Sequence, residues 1–367
     1  MYRLIRPLLF LLDAEFSHHL ILRLLRIAQT IPGVLPILRA VYRPRSPALA
    51  MKVMGLEFPN PVGLAAGLDK NAECVPALTC LGFGSLELGT VTPVAQPGNS
   101  PKRIFRLPRQ HAIINRMGFP SPGVQAFLEN LRTDNKTGII GINIGKNKNT
   151  PNEKAVDDYL TAFRAVYSIA DYITINISSP NTPQLRALQS GDALDTMLAE
   201  IKDEQVMLGK TRQVYVPIAV KIAPDLKANE LEDIAHALRK NKIDAVIATN
   251  TTIDRTGVEH ELLAQEAGGL SGRPLKDKST EVIRTLYNHL KGDVPIIGVG
   301  GIETADDAWE KMVAGADLVQ LYTGFVYQGP AIVKRICRGL ENRVKAAGCD
   351  NLSEAVTRAR SGVHLMR

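Results

Sequence analysis

Two lysines, a set of asparagines and several turns of glycine and hydroxyl residues stand at the ends of short apolar runs in this sequence. Lys70 follows Gly67-Leu68-Asp69, and Lys221 sits in the run Val216-Pro-Ile-Ala-Val-Lys-Ile222. A lysine placed among neutral amides is suited to neutralising a developing anion. Asn143, Asn176 and Asn250, with Thr90, Ser179 and Thr249 beside them, suit a planar ligand with alternating donors and acceptors. Gly300-Gly301 and Tyr322-Thr323-Gly324 offer backbone N–H groups free of side-chain obstruction, the means of holding a dianion. Gly272, in Gly268-Gly-Leu-Ser-Gly-Arg-Pro274, adds one more such contact. No His or carboxylate cluster suits a metal, so none is expected. Singly, each of these groups is ordinary turn chemistry. Their recurrence in register argues for more.

The elements that must position them repeat. Tyr172–Ile177 reads as a buried strand, because Ile173, Ile175 and Ile177 are β-branched, and Pro180 ends it. Seven more runs resemble it: Val62–Ala66, Phe83–Leu88, Ile139–Ile144, Val216–Ile222, Asp244–Thr249, Pro295–Val299 and Asp317–Leu321. Helix-like stretches such as Tyr159–Ala170, Leu231–Lys240, Thr280–Leu290 and Ala305–Ala314 lie between most of them. Strands alternating with helices imply a parallel sheet, and eight units give an α/β chain with the count of a (β/α)8 TIM barrel. An open doubly wound sheet is the second choice. In a barrel all the groups above fall on the carboxyl rim, with the glycines after strands seven and eight at the usual phosphate position.

Residues 1–46 differ. They hold Arg3, Arg6, Arg23, Arg26, Arg39, Arg43 and Arg45 and no lysine. Apolar residues at helical spacing predict two amphipathic helices, over Leu4–Leu12 and Phe16–Ile27, with Asp13 capping the second and Pro32 and Pro36 ending it. Neither run is long enough to span a bilayer, and Arg6-Pro7 and Asp13 interrupt any signal peptide. Such helices pack on the protein's own core or lie on an anionic membrane surface, and the pattern alone does not choose. The whole chain has 45% apolar residues and a formal charge of +7, without a basic tract suited to nucleic acid. Cys74, Cys80, Cys337 and Cys349 form no C-x-x-C pair and read as free thiols.

Several motifs resemble a known family. Asn176-Ile-Ser-Ser-Pro-Asn-Thr182, Gly63-Leu-Ala-Ala-Gly-Leu-Asp-Lys70, Asn115-Arg-Met-Gly-Phe119, Gly141-Ile-Asn-Ile-Gly-Lys146 and Gly298-Val-Gly-Gly-Ile302 are similar to those of dihydroorotate dehydrogenases. The resemblance runs from about residue 2 to about residue 340. It implies an FMN flavoprotein of pyrimidine (UMP) synthesis that oxidises (S)-dihydroorotate to orotate. In that family the soluble class uses a Cys base and the membrane-associated class a Ser base, and the matching residue here is Ser179. Ser179 and the helical extension together imply the membrane-associated, quinone-dependent class. Residues 1–46 would then form the mouth of a tunnel by which a ubiquinone-type quinone reaches the flavin, with His18 and Arg106 in its lining.

By the same resemblance, FMN would be held by Ala66, Gly67, Leu68, Asp69, Lys70, Thr90, Asn143, Asn176, Lys221, Thr249, Gly272, Gly301, Tyr322 and Thr323. Dihydroorotate would be held by Lys70, Asn115, Arg116, Met117, Gly118, Phe119, Asn176, Asn181, Asn250 and Thr251. Ser179 would take a ring proton, relayed through Thr182 and a water, while the hydride passes to flavin N5. Lys221 would steady the charge at flavin N1/O2, and reduced FMN would pass its electrons to the quinone.

The expected organisation is a helical extension at 1–46, an FMN-binding barrel at 47–340 and a solvated helical tail at 341–367, where Gly339–Arg367 reads as the final helix plus a short extra one. The connections Thr90–Ile139 and Ser178–Ser190 would cover the site. A monomer lying peripherally on the cytoplasmic side of a bacterial inner membrane is expected. The rival readings are the soluble class with fumarate or NAD as acceptor, another FMN or phosphate barrel, and a non-catalytic scaffold.

Overall fold

The computed structural model describes residues 2–131 and 138–365. Eight parallel strands close a barrel: Val62–Leu64, Ser85–Val91, Ile139–Ile144, Tyr172–Asn176, Ile218–Ile222, Ala245–Ala248, Ile296–Val299 and Leu318–Leu321. Each pairs with the next in sequence, and the eighth returns to the first with Gln320 opposite Gly63. The open sheet is thereby excluded. Strands four and five are buried throughout, and strand five accordingly reads as Ile, Ala and Val broken only by Lys221. Their register sets Asn176 opposite Lys221, and that of strands two and three sets Gly89 opposite Asn143. The rim groups therefore stand at one height.

Helices cover the outside, among them Ala155–Val166, Gly191–Arg212, Ala228–Lys240, Lys276–Leu290 and Ala305–Ala314. The last begins with a capping box, in which Thr304 Oγ1 accepts from Asp307 N at 3.1 Å. The four cysteines are free thiols, three of them buried.

Three elements were not expected. A hairpin, Met51–Val53 with Leu56–Phe58, precedes the first strand. A three-stranded antiparallel sheet joins Ile104–Leu107 and Ala112–Asn115 to Gly269–Gly272. Its strands are four residues long and one comes from far along the chain, so no local run announces it. A third helix, Val34–Tyr42, follows the predicted pair Tyr2–Leu11 and Ala14–Ala28. Pro36 does not break it, because it falls in the first turn, where backbone N–H groups have no helical partner.

Asp13 caps as expected, its Oδ1 accepting from Glu15 N at 2.9 Å and Phe16 N at 3.0 Å. The side chain of Arg3 lies outside the described residues. At the other end, Ile332–Ala346 runs through residue 340 as one helix, and a further helix spans Leu352–Leu365. That last helix is docked rather than solvated. Leu352, Ala355 and Val356 are buried, and Arg360 donates to Met312 O and Ala316 O at 2.8 and 2.9 Å.

Candidate active site at the carboxyl rim of the barrel

The loops after the eight strands, roofed by the antiparallel sheet, surround a cavity of about 1140 Å3, part of it open to solvent. Its lining includes Lys70, Asn115, Asn176, Ser179, Lys221 and Asn250. Ala66, Gly67, Thr90, Thr249, Gly272, Gly301, Tyr322 and Thr323 border the same space, as do Met117, Gly118, Phe119, Asn181 and Thr251.

Four expected residues stand off it. Leu68 packs in the core, and the Asp69 carboxylate is spent on the N–H groups of Glu73 and Cys74 at 2.9 and 2.7 Å. Arg116 turns away to Glu266 at 2.5 Å and stacks over the Phe105 ring at 4.6 Å. Asn143 lies one layer below, reaching the lining only through Thr90 and Asn176.

A chain of amides ties the rim together. Asn176 Nδ2 donates to Asn143 Oδ1 and Thr90 Oγ1, both at 3.1 Å, and Asn176 Oδ1 accepts from Ser178 Oγ at 3.0 Å. Asn250 Nδ2 donates to Ser178 Oγ at 3.0 Å, and Asn250 Oδ1 accepts from Thr251 N at 2.7 Å. Asn181 Nδ2 reaches across to Asn115 O at 3.1 Å, joining the loop after strand four to the antiparallel sheet. Such amides have fixed donor and acceptor ends before any ligand arrives.

Ser179 is 5% exposed, and its Oγ accepts from Asn181 N at 3.2 Å. Thr182 Oγ1, three residues on, is buried without a hydrogen-bond partner among the described residues. Lys70 donates to Gly67 O at 2.5 Å, and burial pulls its ammonium down to about 8, with Glu15 opposing. At the phosphate end, Gly272, Gly300 and Gly301 all have φ in the left-handed region. A side chain at Gly301 would strike the backbone of Lys276, so only glycine leaves this turn open. Ser271 and Thr323 hydroxyls meet there at 2.8 Å.

Below the lining lie residues that the sequence reading did not single out. Glu87 is fully buried and takes Lys221 Nζ at 3.3 Å, Asn143 Nδ2 at 2.7 Å and Gln320 Nε2 at 2.8 Å. The signal was present, an acid in Leu86-Glu-Leu88 and an amide in Leu318-Val-Gln-Leu321, both in runs otherwise apolar. Arg186 was missed as well. It donates to Ser178 O at 3.0 Å, Thr251 O at 2.8 Å and Asp225 Oδ2 at 2.8 Å, pinning the loop that carries Ser179.

The two residues expected in a tunnel lie apart. His18 lines a second cavity of about 690 Å3, also part open to solvent, with Leu22, Leu68, Lys70 and Met117, and burial holds its imidazole well below the usual range. Arg106 donates to Leu9 O at 3.1 Å and to Leu12 O, clamping the turn between the first two helices, and it stacks over Phe10 at 4.6 Å. Between that turn and the main cavity runs an apolar cluster of Ile104, Ile113, Met117 and Tyr327, with Phe10 and Tyr322 against it.

Comparison with known proteins follows the same outline. The dihydroorotate dehydrogenase family model matches residues 48–344. A relative from Idiomarina loihiensis, named dihydroorotate dehydrogenase (quinone), is 54% identical over 92% of this chain and 99% of its own. One of the same name from Methylobacillus flagellatus is 53% identical over 93% and 99%. Among solved structures, the Eimeria tenella enzyme in complex with ferulenol superposes with a TM-score of 0.85 at 38% identity, covering 94% of this chain and 95% of that one. Its ligand-free form gives 0.84 at 39%, covering 94% and 98%.

Proposed function

The chain belongs to the dihydroorotate dehydrogenase family, and on that premise we propose how its rim and its amino-terminal helices divide the reaction between them. The reaction itself is the oxidation of dihydroorotate to orotate in pyrimidine biosynthesis, by a flavoenzyme that passes its electrons to a quinone. The residue assignments, FMN as the flavin and the membrane surface are our reading.

The rim fits FMN. Its phosphate end is a single cluster, Gly272, Gly300 and Gly301 with the Ser271 and Thr323 hydroxyls, which matches one phosphate rather than two. The glycine turn and the substrate-matching asparagines border one cavity, so a mononucleotide and a small planar substrate would lie side by side in it. Gln320 Oε1, bordering it, is a buried acceptor without a partner among the described residues, and a flavin ring supplies an N–H. Ala66, Gly67, Thr90, Asn176, Lys221, Thr249, Tyr322 and Thr323 complete the holding set. When bound, FMN accepts a hydride at a ring nitrogen and releases electrons to the quinone.

The chain's own residues do the rest. Lys70 meets the substrate carboxylate, while Asn115, Asn181 and Asn250 offer the amide ends that match the edges of a pyrimidine ring. Ser179 removes the ring proton. A serine hydroxyl is a weak base in water, so it needs a relay and a dry site. The unpartnered Thr182 hydroxyl is the candidate next carrier, and burial of Ser179 excludes bulk water. Lys221 supplies positive charge where the ring system gains electrons. The observation that carries this reading is the convergence of Ser179, Lys70 and three ring-matching asparagines on one cavity.

For the extension, no helix among the described residues is long and apolar enough to cross a membrane. Leu4, Leu8, Leu11 and Phe16 are exposed on the first two helices, which also carry Arg6, Arg23 and Arg26. That pattern fits helices lying on a membrane surface, where a quinone would enter along the cluster of Phe10, Ile104, Ile113 and Tyr327. The relatives named above are bacterial, which makes the cytoplasmic face of the inner membrane the expected place, with the chain as a monomer.

The test is dihydroorotate oxidation by the purified, yellow protein with a short-chain ubiquinone, fumarate or NAD as sole acceptor. Turnover with the quinone alone is expected. Turnover with fumarate or NAD alone would leave the rim chemistry standing and sink the tunnel. A colourless protein that rejects added FMN would sink the flavin assignment.

A further inference from the structure

The main cavity rests on a charged group that no ligand would touch. Glu87 lies in the second barrel strand, fully buried beneath Lys221 and Gln320 and outside the cavity lining. Three donors converge on its two oxygens. Asn143 Nδ2 at 2.7 Å and Lys221 Nζ at 3.3 Å reach Oε1, and Gln320 Nε2 reaches Oε2 at 2.8 Å while also meeting the Tyr172 hydroxyl at 3.2 Å. Tyr172 is fully buried, and its hydroxyl is pushed well above its ordinary range, first by burial and then by the Glu87 charge. It therefore stays protonated.

An ionised carboxylate can only accept. That one-sidedness propagates. Because Asn143 must turn its Nδ2 to Glu87, its Oδ1 faces Thr90 and Asn176. Asn176 must then present Nδ2 to Asn143, which leaves its Oδ1 for Ser178 and Asn250. On the other side, Gln320 gives its Nε2 to Glu87, so its Oε1 is the end left without a partner. One carboxylate thus dictates which end of three amides is donor and which acceptor. It also offsets the charge of Lys221, with which it forms a buried ion pair at 3.3 Å. An isolated buried ammonium facing a flavin would favour the reduced ring, which carries an anion, over the oxidised one.

We propose that Glu87 is a positioning residue for the flavin site: it orients Asn143, Asn176 and Gln320 and offsets Lys221, so that the balance between oxidised and reduced flavin is set by the Lys221–Glu87 pair and not by lysine alone. This rests on the reading of the rim as an FMN site. It assigns the pair a consequence, a flavin potential low enough for electrons to leave readily to a quinone.

The measurement is the midpoint potential of bound FMN in the purified holoenzyme and in Glu87→Gln and Glu87→Asp, by equilibration with reference dyes. Glu87→Gln keeps the shape, removes the charge and places an NH2 group where a donor already points. The reduced flavin should gain at least tenfold over the oxidised, a rise of about 30 mV for a two-electron couple. Glu87→Asp keeps the charge and should stay within threefold of the wild type. Orotate binding, followed by the flavin absorbance shift, should weaken in Glu87→Gln as the amide chain loses its fixed sense.

A Glu87→Gln enzyme that binds FMN with the wild-type potential would overturn the proposal while leaving the flavin site intact. A wild-type protein that binds no FMN would instead remove the reading beneath it. If Glu87→Gln does not fold, the wild-type enzyme labelled with 13C-glutamate carries the test. Infrared difference spectra should show a carboxylate stretch that shifts on flavin reduction, and no such band would count against the proposal.

Discussion

The rim and the amino-terminal helices treat water in opposite ways. At the rim, polar side chains are taken out of water and given partners: Asn176 is buried with both amide ends bonded, and Glu87 has no exposure and three donors. Along the first helix, apolar side chains are left in water, with Leu8 65% and Leu11 83% exposed. A buried polar group with partners is complete within the chain. A contiguous exposed apolar face is complete only against something else. The first region is built for chemistry that needs fixed dipoles, the second for a surface the chain does not supply.

The sharpest way to break the rim alone is Ser179→Ala. It removes the hydroxyl that Asn181 N holds at 3.2 Å and leaves the glycine turn and Lys221 in place. Flavin reduction by dihydroorotate in a single turnover should slow by about a thousandfold, within the usual reach of a general base. FMN content should not change. A rate within tenfold of the wild type would remove Ser179 from the base role.

The helices can be broken without touching the rim. Leu8→Glu with Leu11→Glu changes two exposed side chains, so the fold loses little. A leucine fully buried in lipid contributes about 1.5–3 kcal/mol, so binding to vesicles with anionic lipid should weaken at least about a hundredfold for the pair. Single-turnover flavin reduction should stay as it was. If vesicle binding is unchanged, the exposed face has another occupant.

How far each region could be read beforehand differs for the same physical reason. The barrel was legible because eight strands buried on both faces must be apolar, and because each carries at or just past its carboxyl end a glycine or an amide, hydroxyl or ammonium group. Ser179, Lys70 and Lys221 stood out as chemistry at those ends. Glu87 and Arg186 did not, since their roles depend on partners such as Gln320 and Asp225 that the sequence places far away. The strand Gly269–Gly272 was hidden for that reason too, its pairing with Ala112–Asn115 being visible only in space. The third helix was hidden by Pro36, read as a stop where it is harmless in a first turn. Leu68, Asp69 and Arg116 were taken into the site by their neighbours in sequence, and their side chains went elsewhere.

A pH titration sharpens the picture of the rim as pre-set. Burial lowers Lys70 to about 8 from the ordinary 10.5, so in the free enzyme its charge is present below about pH 8 and lost above it. Orotate keeps its carboxylate throughout that range. Its affinity should be flat to about pH 8 and then fall up to tenfold per pH unit, where an ordinary lysine would hold it to about 10. Flat affinity to pH 10 would mean that Lys70 is not the carboxylate's partner.

The smallest expected effect tests whether the rim's order is held locally or through its loop. Arg186 spans three attachments, two of them backbone carbonyls: Ser178, next to the proposed base, and Thr251, beside the proposed substrate amide Asn250. Its third partner, Asp225, keeps Lys278 at 2.9 Å when Arg186 is removed, so no carboxylate is stranded. Arg186→Ala should therefore cost only about 1–2 kcal/mol and lower the melting temperature by a few degrees. What matters is where the kinetics move. If the loop carries the order of the rim, KM for dihydroorotate rises severalfold and single-turnover reduction falls by a similar factor, with FMN retained. If neither changes while the melting temperature drops, the amides around Asn176 hold the rim without the loop, and Arg186 is a stabilising clasp rather than part of the site.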